Sequence, residues 1–261
     1  MKAIIIPNYE KNGTEYILGS VKTILTNNKI GFSVFDGKTS IKDFDIIITI
    51  GGDGTIIHAA KAGATENIPI LGINAGRIGY LADISHDELE LLSALKDNTY
   101  SIEERMLLEV TLGENKYYCL NEAVITKGSL SRMIDIKVSV DGCPVSYRAD
   151  GLIAATPTGS TAYSMSAGGP IVDPALDLFI LTPICSNSLF DRPLLLNKDS
   201  VISISTLCPP NAEVYLTIDG EQSIKLSPDD TLKIKRANHT AKLIRIKNSS
   251  FYETLSEKMR G

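Results

Sequence analysis

The chain is poor in the residues that build metal centres and disulfide frameworks. Its four cysteines, Cys119, Cys143, Cys185 and Cys208, lie far apart with no C-x-x-C pair, and its three histidines, His58, His86 and His239, are equally scattered. Neither set reads as a zinc site. In a chain of this size without a secretory leader, the expectation is reduced, mostly buried thiols rather than a disulfide framework. Long apolar runs are missing as well. Met1-Lys2 leads only into Ala3 to Ile6, too short for a signal-peptide core, and no later run approaches membrane-spanning length. A cytoplasmic protein with no membrane partner is expected. Nor is there an excess of positive charge: the formal net charge of -5 argues against non-specific nucleic-acid binding, so a phosphate-bearing ligand must be held by local features.

Several nucleotide signatures are also absent. There is no G-x-x-x-x-G-K-[ST], and Gly52-Asp53-Gly54 runs on to Ile57 where the dinucleotide fingerprint requires glycine. These gaps exclude a P-loop NTPase and a standard Rossmann dehydrogenase. The lack of G-x-S-x-G removes a hydrolase nucleophile elbow.

What is present divides by rhythm. From Met1 to about Tyr100 short apolar runs alternate with amphipathic segments, the pattern of βαβ units. Lys2 to Ile6, Phe32 to Phe35, Ile46 to Ile50 and Ile70 to Ile73 read as parallel strands buried on both faces. The segment from Thr14 to Asn28 places Ile17, Leu18, Val21, Ile24 and Leu25 on one helical face, and Ser85 to Glu88 forms a capping box ahead of Leu89, Leu92 and Leu95. After Tyr100 the period becomes two, clearest in Ile134, Ile136, Val138 and Val140, which predicts antiparallel sheet with one buried face. Asp141-Gly142 and Asp219-Gly220 supply the φ > 0 residues of hairpin turns. The expected fold is therefore an α/β domain with a parallel sheet over residues 1–100 and a β-rich, sandwich-like domain over 101–244. Ser160 to Ala167 is the helix-compatible exception in the second. Phe251, Leu255 and Met259 predict a terminal helix with an apolar face to dock.

The strongest chemical signal is the strand Ile46 to Ile50 running into Gly51-Gly52-Asp53-Gly54-Thr55 and then a helix-like segment, Ile56 to Ala64. Ligands bind at the carboxyl ends of strands in open parallel sheets. Glycines there let backbone N–H groups approach phosphate oxygens at a helix start. A carboxylate beside phosphates is unwelcome unless it holds a metal or takes a proton, and both tasks belong to phosphoryl transfer. A glycine-rich turn in which Asp53 only caps the helix is the other reading. Pro157 to Pro170 packs hydroxyls and glycines densely, suiting ribose or phosphate contacts with Tyr163 against a base; a Ser/Thr-capped helix followed by a turn is the alternative.

Together these stretches resemble the NAD kinase family: G-G-D-G-T at 51 to 55, G-I-N-A-G-R-I-G-Y-L at 72 to 81, Asn121-Glu122, Arg148-Ala149-Asp150-Gly151, and P-T-G-S-T-A-Y-S-M-S-A-G-G-P at 157 to 170. The resemblance implies transfer of a phosphoryl group from ATP or polyphosphate to the 2'-hydroxyl of the adenosine ribose of NAD. It implies that Asp53 is the base and that Gly51, Gly52, Gly54 and Thr55 serve the donor phosphates. Mg²⁺ would arrive through those phosphates, without direct protein ligands. Asp53 and Gly54 would also touch NAD. Asn121 and Glu122 would bind its hydroxyls, with Glu122 only accepting; Asp150 would accept from the adenine amino group. Thr161, Ala162, Tyr163, Ser164 and Ser166 would surround the adenosine, with Arg148 nearby. His58 and Arg132 could reach phosphates or the nicotinamide side, although surface readings serve as well for each. The family's chain end returns to the first domain, here about 245–261, and part of its pocket comes from a neighbouring subunit, which implies a homodimer or homotetramer. Two departures stand out. Asp219-Gly220-Glu221 replaces the usual D-G-Q, which puts a contact from Glu221 or Gln222 in doubt, and Cys185-Ser186-Asn187-Ser188-Leu189 replaces C-P-H-S-L. The G-G-D-G-T loop alone would equally fit a diacylglycerol-type lipid kinase or a phosphofructokinase, and the pocket alone would fit a non-catalytic dinucleotide sensor.

Overall fold

The computed structural model describes residues 1–76, 79–129, 132–188, 191–207, 212–247 and 249–259. Arg77 and Ile78 of the 72–81 block, Leu189 and Cys208 lie outside the described residues. Two compact units divide the chain: Met1–Arg105 with His239–Gly261, and Met106–Asn238.

The first unit opens with β1 (Lys2–Pro7), α1 (Thr14–Asn27), β2 (Gly31–Val34), β3 (Ile46–Gly51), α2 (Asp53–Glu66), β4 (Ile70–Asn74), β5 (Ile84–Ser85) and the single turn α3 (Ala94–Asp97). β2, β1, β3 and β4 lie side by side in that order, all parallel. Their isoleucines fill both faces: Ile4, Ile5, Ile46, Ile47, Ile48, Ile50 and Ile70 are all buried, where β-branched side chains suit the pleat. α1 buries the stripe Ile17, Leu18, Val21 and Leu25, and α2 stops at Asn67, which takes the left-handed conformation at φ 59°.

Two details differ from expectation. β2 pairs only with β1 and its residues are half-buried or exposed, because an edge strand lacks the neighbour that would cover it. Beyond Ser85, whose N–H and hydroxyl both donate to the Glu88 carboxylate (2.9 and 2.7 Å), Leu89–Ser93 form a 3-10 segment before α3. Asn98 at φ 52° ends the run, so the buried Leu89, Leu92 and Leu95 sit on a short broken helix.

The second unit holds β6 (Ser101–Leu112, entering from the first), β7 (Asn115–Cys119), β8 (Glu122–Lys127), β9 (Ile134–Val140), β10 (Cys143–Ala149), β11 (Gly151–Ala155), α4 (Tyr163–Ser166), β12 (Leu178–Ile184), β13 (Leu194–Asn197), β14 (Ile202–Leu207), β15 (Val214–Ile218), β16 (Gln222–Leu226) and β17 (Thr231–Arg245, which runs on into the first). One antiparallel sheet is ordered β13-β12-β11-β8-β15-β16; the strands of the other include β10-β9-β14-β17. Inward residues of both, among them Ile125, Leu152, Leu181 and Leu216 from the first and Ile134, Ile136, Ile204 and Ile234 from the second, form one core, the arrangement of a sandwich. Both expected hairpins are present, with Asp141 at φ 51°, Gly142 at 88°, Asp219 at 48° and Gly220 at 70°. Ser160 to Ala167 is not one helix: a 3-10 turn over Thr158–Thr161 breaks at Ala162 before the single turn α4.

Back in the first unit, the end of β17 joins the parallel sheet, Leu243 beside Ile70, and is followed by α5 (Phe251–Met259). Phe251 lies 6.4 Å from the Tyr80 ring and the Lys258 ammonium sits over that ring at 4.3 Å. Met259 is exposed, so the docked face is shorter than the i, i+4, i+8 pattern implies. The thiols also depart from expectation: Cys119 is buried, but Cys143 and Cys185 are exposed and free, one opening a hairpin strand and the other at φ 47° just past β12.

Candidate active site

In the first unit the connections leaving β1 and β3 diverge, one to β2 on the left and one to β4 on the right. Such a switch point opens a crevice at the strands' carboxyl ends. Both strand ends there carry polar residues. The Asn8 side-chain amide donates to the Thr55 hydroxyl at 3.2 Å, and the Asn8 N–H donates to the Ile50 carbonyl at 2.8 Å. Gly51 is required by this packing, since a Cβ on it would strike the Thr55 side chain, with Thr55 Cβ only 2.9 Å away. Gly52 and Gly54 serve differently. A Cβ on either would meet no described atom within 4 Å, and neither has positive φ, so their smallness leaves the α2 entrance clear of the described residues. Gly52 gives no side-chain cap to that helix, and the positive end of α2 faces the crevice it opens.

Asp53 is the first residue of α2, but it does more than cap it. Its Oδ2 accepts from the Tyr80 N–H at 2.8 Å and its Oδ1 from the Leu81 N–H at 3.1 Å. Gly79 packs so closely that any Cβ would collide with Asp53 Oδ1. The carboxylate is thus held in one orientation by backbone, and among the described residues each oxygen keeps a lone pair beyond these bonds. Its charge, second to burial, raises the Tyr80 phenol's pKa. The buried Asn74 straps the neighbouring loop, accepting from the Gly76 N–H and donating to the Gly76 carbonyl. His58 is exposed on α2.

The second unit gathers another group. The Asp219 carboxylate accepts from three successive backbone N–H groups, Leu120 (2.9 Å), Asn121 (2.8 Å) and Glu122 (3.0 Å). The Asn121 carbonyl accepts from the Thr156 N–H at 2.8 Å. Gly159 lies against that residue, where a Cβ would come within 2.8 Å of Asn121 Cα and 2.6 Å of its carbonyl carbon. Glu122 is only 5% exposed. Its carboxylate accepts from the Tyr163 N–H, while Oε2 has no hydrogen-bond partner among the described residues. Burial, and then the charge of Asp219, push its pKa up to about 7. A carboxyl raised in this way keeps its proton more readily than an ordinary glutamate, and in the protonated form it donates as well as accepts.

Around this pair Tyr163 is 43% exposed and Ser166 is exposed, with Thr161 and Ala162 half-buried. Ser164 faces inward instead: fully buried, it shares a 2.9 Å hydrogen bond with Thr182. Asp150 is half-buried with Lys127 Nζ at 3.6 Å. Arg148 is exposed, 3.9 Å from Asp135, and its carbonyl accepts from the Asn187 N–H at 3.1 Å. Arg132, Glu221 and Gln222 are exposed. Sequence reasoning missed Asn8, Gly79, the Asp219 carboxylate and Gly159. Gly79 and Gly159 stand inside the quoted 72–81 and 157–170 blocks and Asp219 inside the D-G-E departure, yet nothing in those letters assigns the three their contacts, and Asn8 carries no signal at all.

Residues 21–99 match the family model for the ATP-NAD kinase N-terminal domain and residues 120–246 that for the ATP-NAD kinase C-terminal domain. The chain belongs to the NAD kinase family. A relative named NAD kinase from Caldicellulosiruptor saccharolyticus is 38% identical over 260 residues, 98% of each chain. Another, from Moorella thermoacetica, is 44% identical over 220 residues, 82% of this chain and 70% of its own. Among solved structures, an NAD kinase from Archaeoglobus fulgidus in complex with ATP superposes with a TM-score of 0.83 at 28% identity, covering 100% of this chain and 99% of that one. A yeast NADH kinase complexed with NADH gives 0.88 at 24% identity over 99% and 87% of the two chains, a likeness of fold alone. The chain is thus a kinase of the type that phosphorylates NAD to NADP. Matches across both units set aside the lipid-kinase and phosphofructokinase readings that the G-G-D-G-T loop leaves open.

Proposed function

We propose that Asp53 is the general base of this kinase. The ribose 2'-oxygen of NAD attacks the donor's terminal phosphorus, the bond from that phosphorus to the bridging oxygen breaks, and the hydroxyl proton passes to Asp53. The observation that carries this reading is the pair of backbone N–H groups, from Tyr80 and Leu81, that hold the carboxylate in one orientation at the start of α2. An oriented acceptor with open lone pairs suits proton removal. Gly51, Gly52, Gly54 and Thr55 line the donor side, where the space beside Gly52 and Gly54 and the start of α2 favour phosphate.

ATP is the donor, supported by the ATP complex of the Archaeoglobus relative, and polyphosphate is a second candidate for the same crevice. A divalent cation, Mg²⁺, would be carried by the donor's phosphates and would neutralise their charge. Mg²⁺ commonly binds through nucleotide phosphates.

In the second unit, Asn121 and Glu122 take NAD hydroxyls and Asp150 the adenine amino group. Thr161, Ala162, Tyr163 and Ser166 border the adenosine, and the buried Ser164 supports that border through Thr182. Arg148, Arg132, His58, Glu221 and Gln222 remain candidates for outer contacts, all of them exposed. The working form is a homodimer or homotetramer in the cytoplasm, in keeping with the family resemblance. No described helix is long and apolar enough to cross a membrane.

Asp53→Asn tests the assignment. It keeps the size and one of the two backbone bonds, the amide NH2 giving up the other, and NAD affinity by calorimetry should stay close to wild type while turnover falls by at least ~100-fold, the scale of losing a placed base. Turnover at the wild-type level would remove Asp53 from that role.

A further inference from the structure

We infer that Arg245, at the end of β17, is a positioning residue for Asp53, acting through the backbone of Leu81. The inference rests on the reading of Asp53 as base. Leu81 is held from both sides: its N–H donates to Asp53 Oδ1 at 3.1 Å, and its carbonyl accepts from Arg245 Nη1 at 3.0 Å. Fixing both ends of one residue fixes its φ and ψ, and hence the direction in which its N–H points.

Arg245 is itself fixed. Its Nε donates to Glu103 Oε2 at 2.6 Å, Nη1 lies 3.8 Å from Asp83 Oδ1, and its side chain is only 17% exposed. Glu103 is braced in turn by Arg105 at 2.7 Å. The buried Asp83 ties the backbone beyond Arg245 to the same loop, its Oδ2 accepting from the Ile246 N–H at 2.7 Å and the Lys247 N–H at 3.2 Å. Asp83 also donates its own N–H to the Gly72 carbonyl at 3.0 Å. The 81–83 segment is therefore pinned between β4 and the returning strand, and all of these residues belong to the first unit. Charge-assisted bonds from a rigid guanidinium fork are the strong and directional kind. Lysine offers one point charge with rotating donors and cannot hold the Glu103 oxygen and the Leu81 carbonyl in this geometry together.

The chemistry gives this bracing a purpose. A general base works only within hydrogen-bond reach of its proton, and a displacement of about 1 Å can cost on the order of 100-fold in rate. Gly79 presses on the same carboxylate from a third direction, so a shift of Leu81 would be passed directly to Asp53.

The test is a double-mutant cycle on the full chain, with NAD and ATP, using Arg245→Lys, Asp53→Asn and the double variant. Arg245→Lys should lower kcat on the order of 10-fold with little change in KM for NAD, and it should cause no further loss in the Asp53→Asn background. In Arg245→Ala, added ethylguanidinium should restore part of the lost turnover. An Arg245→Lys enzyme with wild-type kcat, or an equal loss in both backgrounds, would overturn this inference alone. Wild-type turnover in Asp53→Asn would overturn the base assignment and this inference with it. If Arg245→Lys does not fold, Glu103→Gln takes its place in the cycle with the same expected split.

Discussion

Replacing Glu122 with glutamine should stabilise the protein, and the gain should grow with pH. Glu122 is buried, its Oε2 lacks a partner among the described residues, and the Asp219 carboxylate stands close by. Burial and that neighbouring charge raise its pKa from an ordinary 4.5 to about 7, a difference equivalent to about 3 kcal/mol. Below about pH 4.5 the folded and unfolded chains both hold the proton and the group costs nothing. Between 4.5 and 7 the unfolded chain releases its proton while the folded chain keeps it, so the unfolded state gains and stability falls. Above 7 the full cost is in place. Glutamine carries no charge and removes the penalty. Urea unfolding followed by circular dichroism should show Glu122→Gln gaining about 1 kcal/mol at pH 5 and about 3 kcal/mol at pH 8 relative to wild type. A carboxyl carbon resonance that titrates near 7 in wild type and is absent from the variant would identify the group. Parallel stability curves for the two proteins across this range would refute the reasoning.

Two further substitutions probe the second unit. Gly159→Ala should force Asn121 aside, because the new Cβ meets backbone rather than a flexible side-chain end; a loss of about 2 kcal/mol or more with weakened NAD binding is expected, measured by thermal unfolding and calorimetry, and unchanged values of both would contradict it. Asp150→Ala removes a half-buried carboxylate whose ion pair with Lys127 is loose at 3.6 Å, so stability should change by less than about 1 kcal/mol while NAD affinity falls; wild-type affinity would take Asp150 out of the site.

The sequence carried those parts of the fold that depend on local period. Isoleucine runs marked the buried strands β1, β3 and β4, and the Ile17 to Leu25 spacing marked α1. Alternation marked β9, and the Asp-Gly pairs marked both hairpins. What it did not carry was the direction of polar groups joined across long stretches of chain. Asp219 reads as a turn residue, and nothing local says that its carboxylate gathers the N–H groups of residues 120 to 122. Gly79 reads as one glycine among several until its contact with Asp53 is seen. Ser164 belongs to a hydroxyl-rich motif, yet its partner Thr182 sits on another strand. The three glycines of the loop look alike as letters, but Gly51 answers an internal packing need while Gly52 and Gly54 leave space for a ligand. Glu122 looks like a plain acceptor because burial, the source of its raised pKa, is a property of the folded chain.

With Asp53 as the proposed base, the phosphoryl group should appear on the ribose 2'-hydroxyl of NAD. The most direct measurement incubates the purified full chain and its Asp53→Asn variant with NAD, ATP and Mg²⁺ and follows the products by phosphorus NMR. A 2'-phosphomonoester on the adenosine ribose is expected from the wild type, formed at least ~100-fold more slowly by the variant. No NADP from the folded wild-type chain, or equal rates from the two proteins, would contradict it.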